Sequence, residues 1–167
     1  MPHPAAFRLL PFLFAAALLL AVTPGCSRQQ PDASSADTSA ADARRAQREA
    51  LFGPEALAPE VQWRESGLGY RILTPGDGPR PGIGATVRLT YVGRLKDGTV
   101  FDRSTRPTDL ALNRLVAGLS TGIQLLNSGG KAAIFIPPAL GYGSAKVMGI
   151  PPDSGLIFDV ELLAVNP

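Results

Sequence analysis

Between residue 66 and the C-terminus, only one stretch repeats its apolar residues at helical spacing. Across residues 113–130, Val116, Leu119, Ile123 and Leu126 recur at three- and four-residue steps, and Gly129-Gly130 supplies a stop. The other apolar segments alternate instead. Residues 85–95 set Val87, Leu89 and Tyr91 on one face and Arg88 and Thr90 on the other. Residues 69–74, 100–102, 131–136 and 155–165 read as further strands, the last with Leu156, Phe158, Val160 and Leu162 on one face. Turn chemistry separates them: Pro75-Gly76-Asp77-Gly78, then Asp97-Gly98, which suits a tight hairpin, then Pro137-Pro138. With 18 glycines and 16 prolines in 167 residues, turns are favoured over long helices. One short helix laid across an antiparallel sheet is an α+β architecture.

The N-terminal part has a different character. Residues 9–22 are almost purely apolar and follow Arg8, but the run is shorter than the ~20 residues a membrane-spanning helix needs. It suits the core of a signal peptide. The run stops at Thr23-Pro24-Gly25-Cys26, with a small residue directly before the only cysteine. This reads as a bacterial lipoprotein signal: residues 1–25 are removed and Cys26 becomes the lipid-modified first residue. The alternative is an ordinary cleavage site followed by an incidental cysteine. Residues 26–65 read as a tether, since 27–50 contain no Val, Ile, Leu, Met or aromatic residue. A helical piece is expected over residues 40–52, ended by Gly53-Pro54. Only Leu51 and Phe52 could supply a dimerisation seam there, so a monomer is expected. Trp63 is expected to pack at the edge of the domain or beneath its first strand, and the globular domain is taken as 66–167.

Charge and residue inventory narrow the chemistry. Sixteen basic and 14 acidic residues leave a net charge of +2, with no clustered basic face in the sequence to call for nucleic acid. The only histidine, His3, leaves with the signal. Ser/His and Cys/His nucleophile pairs, histidine-ligated zinc and a disulfide within one chain are thereby excluded. The carboxylates are scattered rather than grouped as in a calcium loop, and no Gly-x-Gly-x-x-Gly or Walker pattern occurs. The expected reaction uses no cofactor, no metal and no covalent attack.

Several segments then stand together in order: Leu73-Thr74-Pro75-Gly76-Asp77-Gly78, Val87-Arg88-Leu89-Thr90-Tyr91-Val92-Gly93 and Asp97-Gly98-Thr99-Val100-Phe101-Asp102. Gly129-Gly130-Lys131, Ile136-Pro137-Pro138-Ala139-Leu140-Gly141-Tyr142-Gly143, Ile150-Pro151-Pro152 and Leu156-Ile157-Phe158-Asp159-Val160-Glu161-Leu162 follow. This series closely resembles the FKBP-type peptidyl-prolyl cis-trans isomerases over about 100 residues, and the lipoprotein form resembles bacterial members of the macrophage-infectivity-potentiator group. The resemblance implies a twisted antiparallel sheet wrapped around one short helix, and rotation about the bond preceding proline. That rotation moves no proton or electron, so a site without histidine, cysteine or metal is sufficient.

The resemblance also implies site roles. Tyr91, Phe101 and Phe158 would line the pocket around the prolyl ring, and Leu115, Val116 and Ile150 would complete its apolar wall. Tyr142 would offer its hydroxyl to a substrate carbonyl, the Val116 N–H would hold another, and Asp102 would add polarity at the rim. Periodicity alone would also allow Tyr91, Phe101 and Phe158 to be ordinary core and Asp102 a turn residue. Tyr142, set between two glycines, fits a core position least well. Two positions depart from the family pattern: Leu119 stands where a tryptophan usually forms the pocket floor, and Leu110 where a wall phenylalanine is common. Both changes soften the pocket and are expected to weaken substrate and macrolide binding. The implied partners are proline-containing unfolded or extended polypeptides, with membrane attachment only through the lipid. A non-catalytic, chaperone-like peptide-binding module is the competing reading. By resemblance to bacterial lipoproteins, Ser27 after the cysteine implies the outer membrane over the inner, on the periplasmic side of the envelope.

Overall fold

The structure, a computed structural model, describes residues 33–147 and 149–166. The expected signal segment and Cys26 lie outside the described residues. Two helices, α1 (Ala33–Phe52) and α2 (Ala117–Ile123), accompany seven strands. The strands are β1 (Gln62–Trp63), β2 (Gly69–Thr74), β3 (Thr86–Arg94), β4 (Val100–Arg103), β5 (Thr108–Ala111), β6 (Lys131–Ile136) and β7 (Leu156–Val165). They form one antiparallel sheet in the order β1-β2-β6-β7-β3-β4. The short β5 also pairs with β3, further along the edge that β4 begins.

The alternation in the sequence maps onto two faces. Val87 and Leu89 of β3, Ile134 and Ile136 of β6, and Leu156, Phe158, Val160 and Leu162 of β7 point inward with Leu119, Ile123 and Leu126 as one buried cluster. The helix lies close on β6 because Gly118 and Gly122 carry no side chain on the contact side. A Cβ at Gly122 would come within 2.7 Å of Ile134, and one at Gly118 would collide with Ile136. Asp97-Gly98 makes the expected tight turn: Gly98 has φ 84°, and the Thr99 N–H donates to Asp97 Oδ1 at 2.9 Å.

The helical period over 113–130 resolves into three pieces. A 3-10 turn covers Leu112–Arg114, Leu115 and Val116 are extended, and only Ala117–Ile123 is α-helical. Beyond it, the N–H groups of Leu125 and Leu126 reach back to Gly122 and Ile123 in tighter, 3-10-type bonds. The apolar residues flanking α2 point to the same core, so they extend the helical pattern past the helix. The strand β5 escapes the alternation rule because it is short and follows Arg106-Pro107. Pairing with β3 and the two-pronged Arg88–Asp109 contact, at 2.7 and 2.8 Å, place it.

The segment expected as tether divides at its aromatic residues. Without glycine or proline between Ala33 and Phe52, α1 extends beyond residues 40–52 at its N-terminal end, and Gly53, with φ 78°, ends it where expected. Its last turn and the following chain lie over the outer face of the sheet. There Phe52, Ala56 and Val61 join Ala133, Phe135 and Ile157 in a second buried cluster, with Trp63 packed against it. Phe52, Trp63 and Phe135 contact one another with ring centroids 5.7–6.0 Å apart. Gly155 leaves room for Phe52: a Cβ there would sit 2.7 Å from its Cε1. Burying the Phe52 side chain contributes about 2 kcal/mol. Arg94 ties this cover to the sheet, reaching Glu55 at 2.7 Å and Asp159 at 3.0 Å. Burial lowers the Arg94 pKa, but the two carboxylates outweigh it and leave it raised.

Candidate active site

The site grows from the inner face of β3 and β7. In register, Tyr91 lies opposite Val160 and Gly93 opposite Phe158, so Tyr91 and Phe158 are diagonal neighbours on one face. Their ring centroids are 6.0 Å apart at 48°. Phe101 of β4 meets Phe158 edge-on, at 5.5 Å and 82°. The space for these rings comes from Gly93. A Cβ there would lie 2.8 Å from Phe101 Cε2 and 2.9 Å from Phe158 Cε1. Gly93 appears in the sequence motif, yet periodicity assigns it no role. Its signal is its place two residues after Tyr91, on the same face of the strand.

The polar rim is built around Tyr91. Its hydroxyl donates to Asp102 Oδ2 at 2.8 Å. Burial, this hydrogen bond, the Asp102 charge and the nearby Tyr142 together push the Tyr91 phenol up to about 12, so it remains a donor. A second residue missed by sequence reasoning, Ser104, fixes the backbone of Tyr91. Its Oγ accepts the Tyr91 N–H at 2.8 Å, and its own N–H donates to the Tyr91 carbonyl at 3.0 Å. Nothing in the sequence separates Ser104 from an ordinary loop serine.

The remaining expected residues close around this group. Leu119 of α2 and Ile150 are buried in the same cluster as Phe158, and Leu110, Leu115 and Val116 pack against it. Gly149, with φ 81°, lies beside Phe101, and the Ile150 N–H closes a turn onto the Val147 carbonyl. Val116 is the N-cap of α2, and none of the backbone hydrogen bonds among the described residues uses its N–H. Tyr142 follows the 3-10 turn Pro138–Leu140 and is 38% exposed, and its hydroxyl has no hydrogen-bond partner among the described residues. The structure thus draws together Tyr91, Phe101, Asp102, Tyr142, Phe158, Leu110, Leu115, Val116, Leu119 and Ile150, whereas Cys26 lies outside the described residues.

Such a surface can take up an apolar ring against aromatic and aliphatic walls. Two hydrogen-bond donors, the Tyr142 O–H and the Val116 N–H, are left uncommitted among the described residues. A second depression of about 250 Å3, bordered by Tyr91 and Ser104, lies toward Leu73, Lys131, Asp159 and Glu161. It is flanked by the Lys131–Glu161 pair at 3.1 Å. None of Phe101, Tyr142, Ile150 or Phe158 lines it, so it is not the candidate site.

The chain is similar to known proteins over most of the described residues. The family model described as FKBP-type peptidyl-prolyl cis-trans isomerase matches residues 78–163. The isomerase FkpA of Escherichia coli (strain K12) is 44% identical over 110 residues, which cover 64% of this chain and 41% of FkpA. Outer membrane protein MIP of Legionella longbeachae is 33% identical over 130 residues, covering 75% of this chain and 56% of MIP. The match therefore spans less than half the length of FkpA. The crystal structure of a peptidyl-prolyl cis-trans isomerase from Pseudomonas syringae superposes with a TM-score of 0.66 at 33% identity, covering 75% of this chain and 96% of that one. Matched by this family model over more than half of its length, the chain belongs to the FKBP-type peptidyl-prolyl cis-trans isomerase family.

Proposed function

We propose that this chain accelerates cis-trans isomerisation of X-Pro bonds in exported polypeptides, using the cleft between Tyr91, Phe101, Phe158, Leu119 and Ile150. The observation that carries this reading is the grouping of the Tyr91–Asp102 pair with the Phe101–Phe158 edge contact on one apolar face. The uncatalysed barrier is ~18–20 kcal/mol and reflects amide resonance. As the bond twists, resonance is lost and the amide becomes less dipolar. A water-poor aromatic and aliphatic surface therefore favours the twisted form over the planar one. Tyr142 and the Val116 N–H would hold the carbonyls beside the rotating bond. Asp102 would act by orienting the Tyr91 ring, without proton transfer. The aliphatic Leu119 and Leu110 keep the cleft dry while giving up aromatic contact, which would lower affinity for substrate and macrolides.

The same proposal places the protein at the cell envelope, held by lipid on Cys26 on the periplasmic side, with the outer membrane favoured. The apolar run at 9–22 and the Thr23-Pro24-Gly25-Cys26 junction support it, as does the similarity to outer membrane protein MIP of Legionella longbeachae. Among the described residues, no helix is long and apolar enough to cross a membrane. A monomer is the proposed state, because α1 offers no apolar residue larger than alanine between Asp37 and Gln47. The test is protease-free measurement of X-Pro isomerisation with the protein and its Tyr142→Phe and Asp102→Ala variants. Slower turnover in folded variants is expected, and unchanged turnover in both would remove the site assignment.

A further inference from the structure

The outer side of the molecule carries a concentration of positive charge that the isomerase reading does not use. Arg44 and Arg48 lie one turn apart on α1, Arg45 sits beside them, and Arg64 follows Trp63 at the end of β1. A cleft of about 620 Å3 opens among Arg44, Gln47, Arg48, Trp63, Arg64 and Glu65. The Arg48 guanidinium rests 4.4 Å from the Trp63 ring centroid. Among the described residues the ion pairs use Arg88, Arg94 and Lys131, so none of these four arginines has a carboxylate within pairing distance. Glu65 is the one acidic side chain lining the cleft. Burial lowers the Arg48 pKa, and the charge of Arg44 adds to the lowering.

We propose that the Arg44–Arg48–Arg64 face, centred on Trp63, docks the domain on an anionic phospholipid surface. Two features favour a lipid surface over a single bound anion. The arginines come from two separate elements, α1 and the end of β1, with Arg45 beside them on α1, and an indole beside guanidinium groups matches the composition of headgroup-level anchors. In addition, α1 runs from this face back to Ala33, a few residues after Cys26. Trp63 packs on the outer-face cluster, whereas Tyr91 and Phe158 belong to the inner face. Docking by the arginine face therefore leaves the isomerase cleft on the far side of the sheet, open to soluble chains. The inference rests on the reading of Cys26 as a membrane anchor.

Trp63, the only tryptophan, is a built-in reporter. The lipid-modified full chain would be reconstituted into phosphatidylcholine vesicles, with or without 30% phosphatidylglycerol. The expected result is a blue shift of Trp63 emission and reduced acrylamide quenching only in the anionic vesicles, reversed by 0.5 M salt. Each arginine near such a surface strengthens contact by about fivefold, so Arg44→Glu with Arg48→Glu should shift the docking equilibrium by more than about 30-fold and abolish the response. Arg44→Glu with Arg45→Glu, which leaves the Arg48–Trp63 contact in place, should weaken it while X-Pro isomerisation stays unchanged. Identical emission in both vesicle types would overturn the proposal, as would an undiminished response in either double variant. The same shift produced by millimolar inorganic phosphate, or by polyglutamate but not by vesicles, would also overturn it. Loss of the chain from phosphatidylcholine vesicles would instead count against the anchor.

Discussion

The Tyr91 hydroxyl and the Asp102 carboxylate, carried on neighbouring strands, meet at 2.8 Å on the rim of the aromatic cleft. This contact fixes the tilt of a ring whose centroid lies 6.0 Å from that of Phe158. Tyr91→Phe keeps the ring and removes the tether. The expected outcome is a roughly three- to tenfold fall in kcat/KM, the size of one hydrogen bond, with the fold intact by far-UV circular dichroism. Asp102→Asn should do the same, and the double variant should lose less than the product of the two, because both changes remove one contact.

The same pair makes a pH prediction. Tyr91 is raised from 10.0 to about 12 in the folded state, so the protonated phenol is favoured by folding. Its contribution to stability is complete below pH 10 and is lost as the pH rises from 10 to 12. Absorbance titration at 295 nm should show one tyrosine ionising near 12, and Tyr91→Phe should abolish that step. A titration with no step near 12 would contradict the burial and pairing described.

How far the sequence discloses this site depends on what each residue contributes. Tyr91 and Phe158 are legible because strand alternation sets them on the inner face and the motif order aligns them with a family. Gly93 and Ser104 are not, since one acts by lacking a side chain and the other through a backbone contact 13 residues away. The outer-face cover is hidden for a similar reason. Phe52, Ala56, Val61 and Trp63 are too sparsely spaced to show a period, and they become a core only when Phe135 and Ile157 meet them from distant strands.

Gly93→Ala would put a methyl within 2.9 Å of both Phe101 and Phe158. Neither contact is with a flexible chain end, so the rings must move. A destabilisation of about 1–3 kcal/mol is expected in urea unfolding, together with a raised KM for X-Pro peptides. Wild-type stability and KM would show that the rings have room to spare.

Phe52→Ala tests whether the cover belongs to the folded unit. Phe52 is 2% exposed and contacts both Trp63 and Phe135. Its truncation should cost about 3–5 kcal/mol and red-shift Trp63 emission. A loss below about 1 kcal/mol would mean that the segment is only a tether.

An aromatic and aliphatic cleft floored by Leu119 is proposed to lower the barrier to rotation about the X-Pro bond. Protease-free kinetics of a short X-Pro peptide, followed with the full chain in detergent, test it most directly. Acceleration that is flat from pH 6 to 9 and reduced by Tyr142→Phe is the predicted result. A folded chain that binds the peptide but leaves its isomerisation rate at the uncatalysed value would contradict the account.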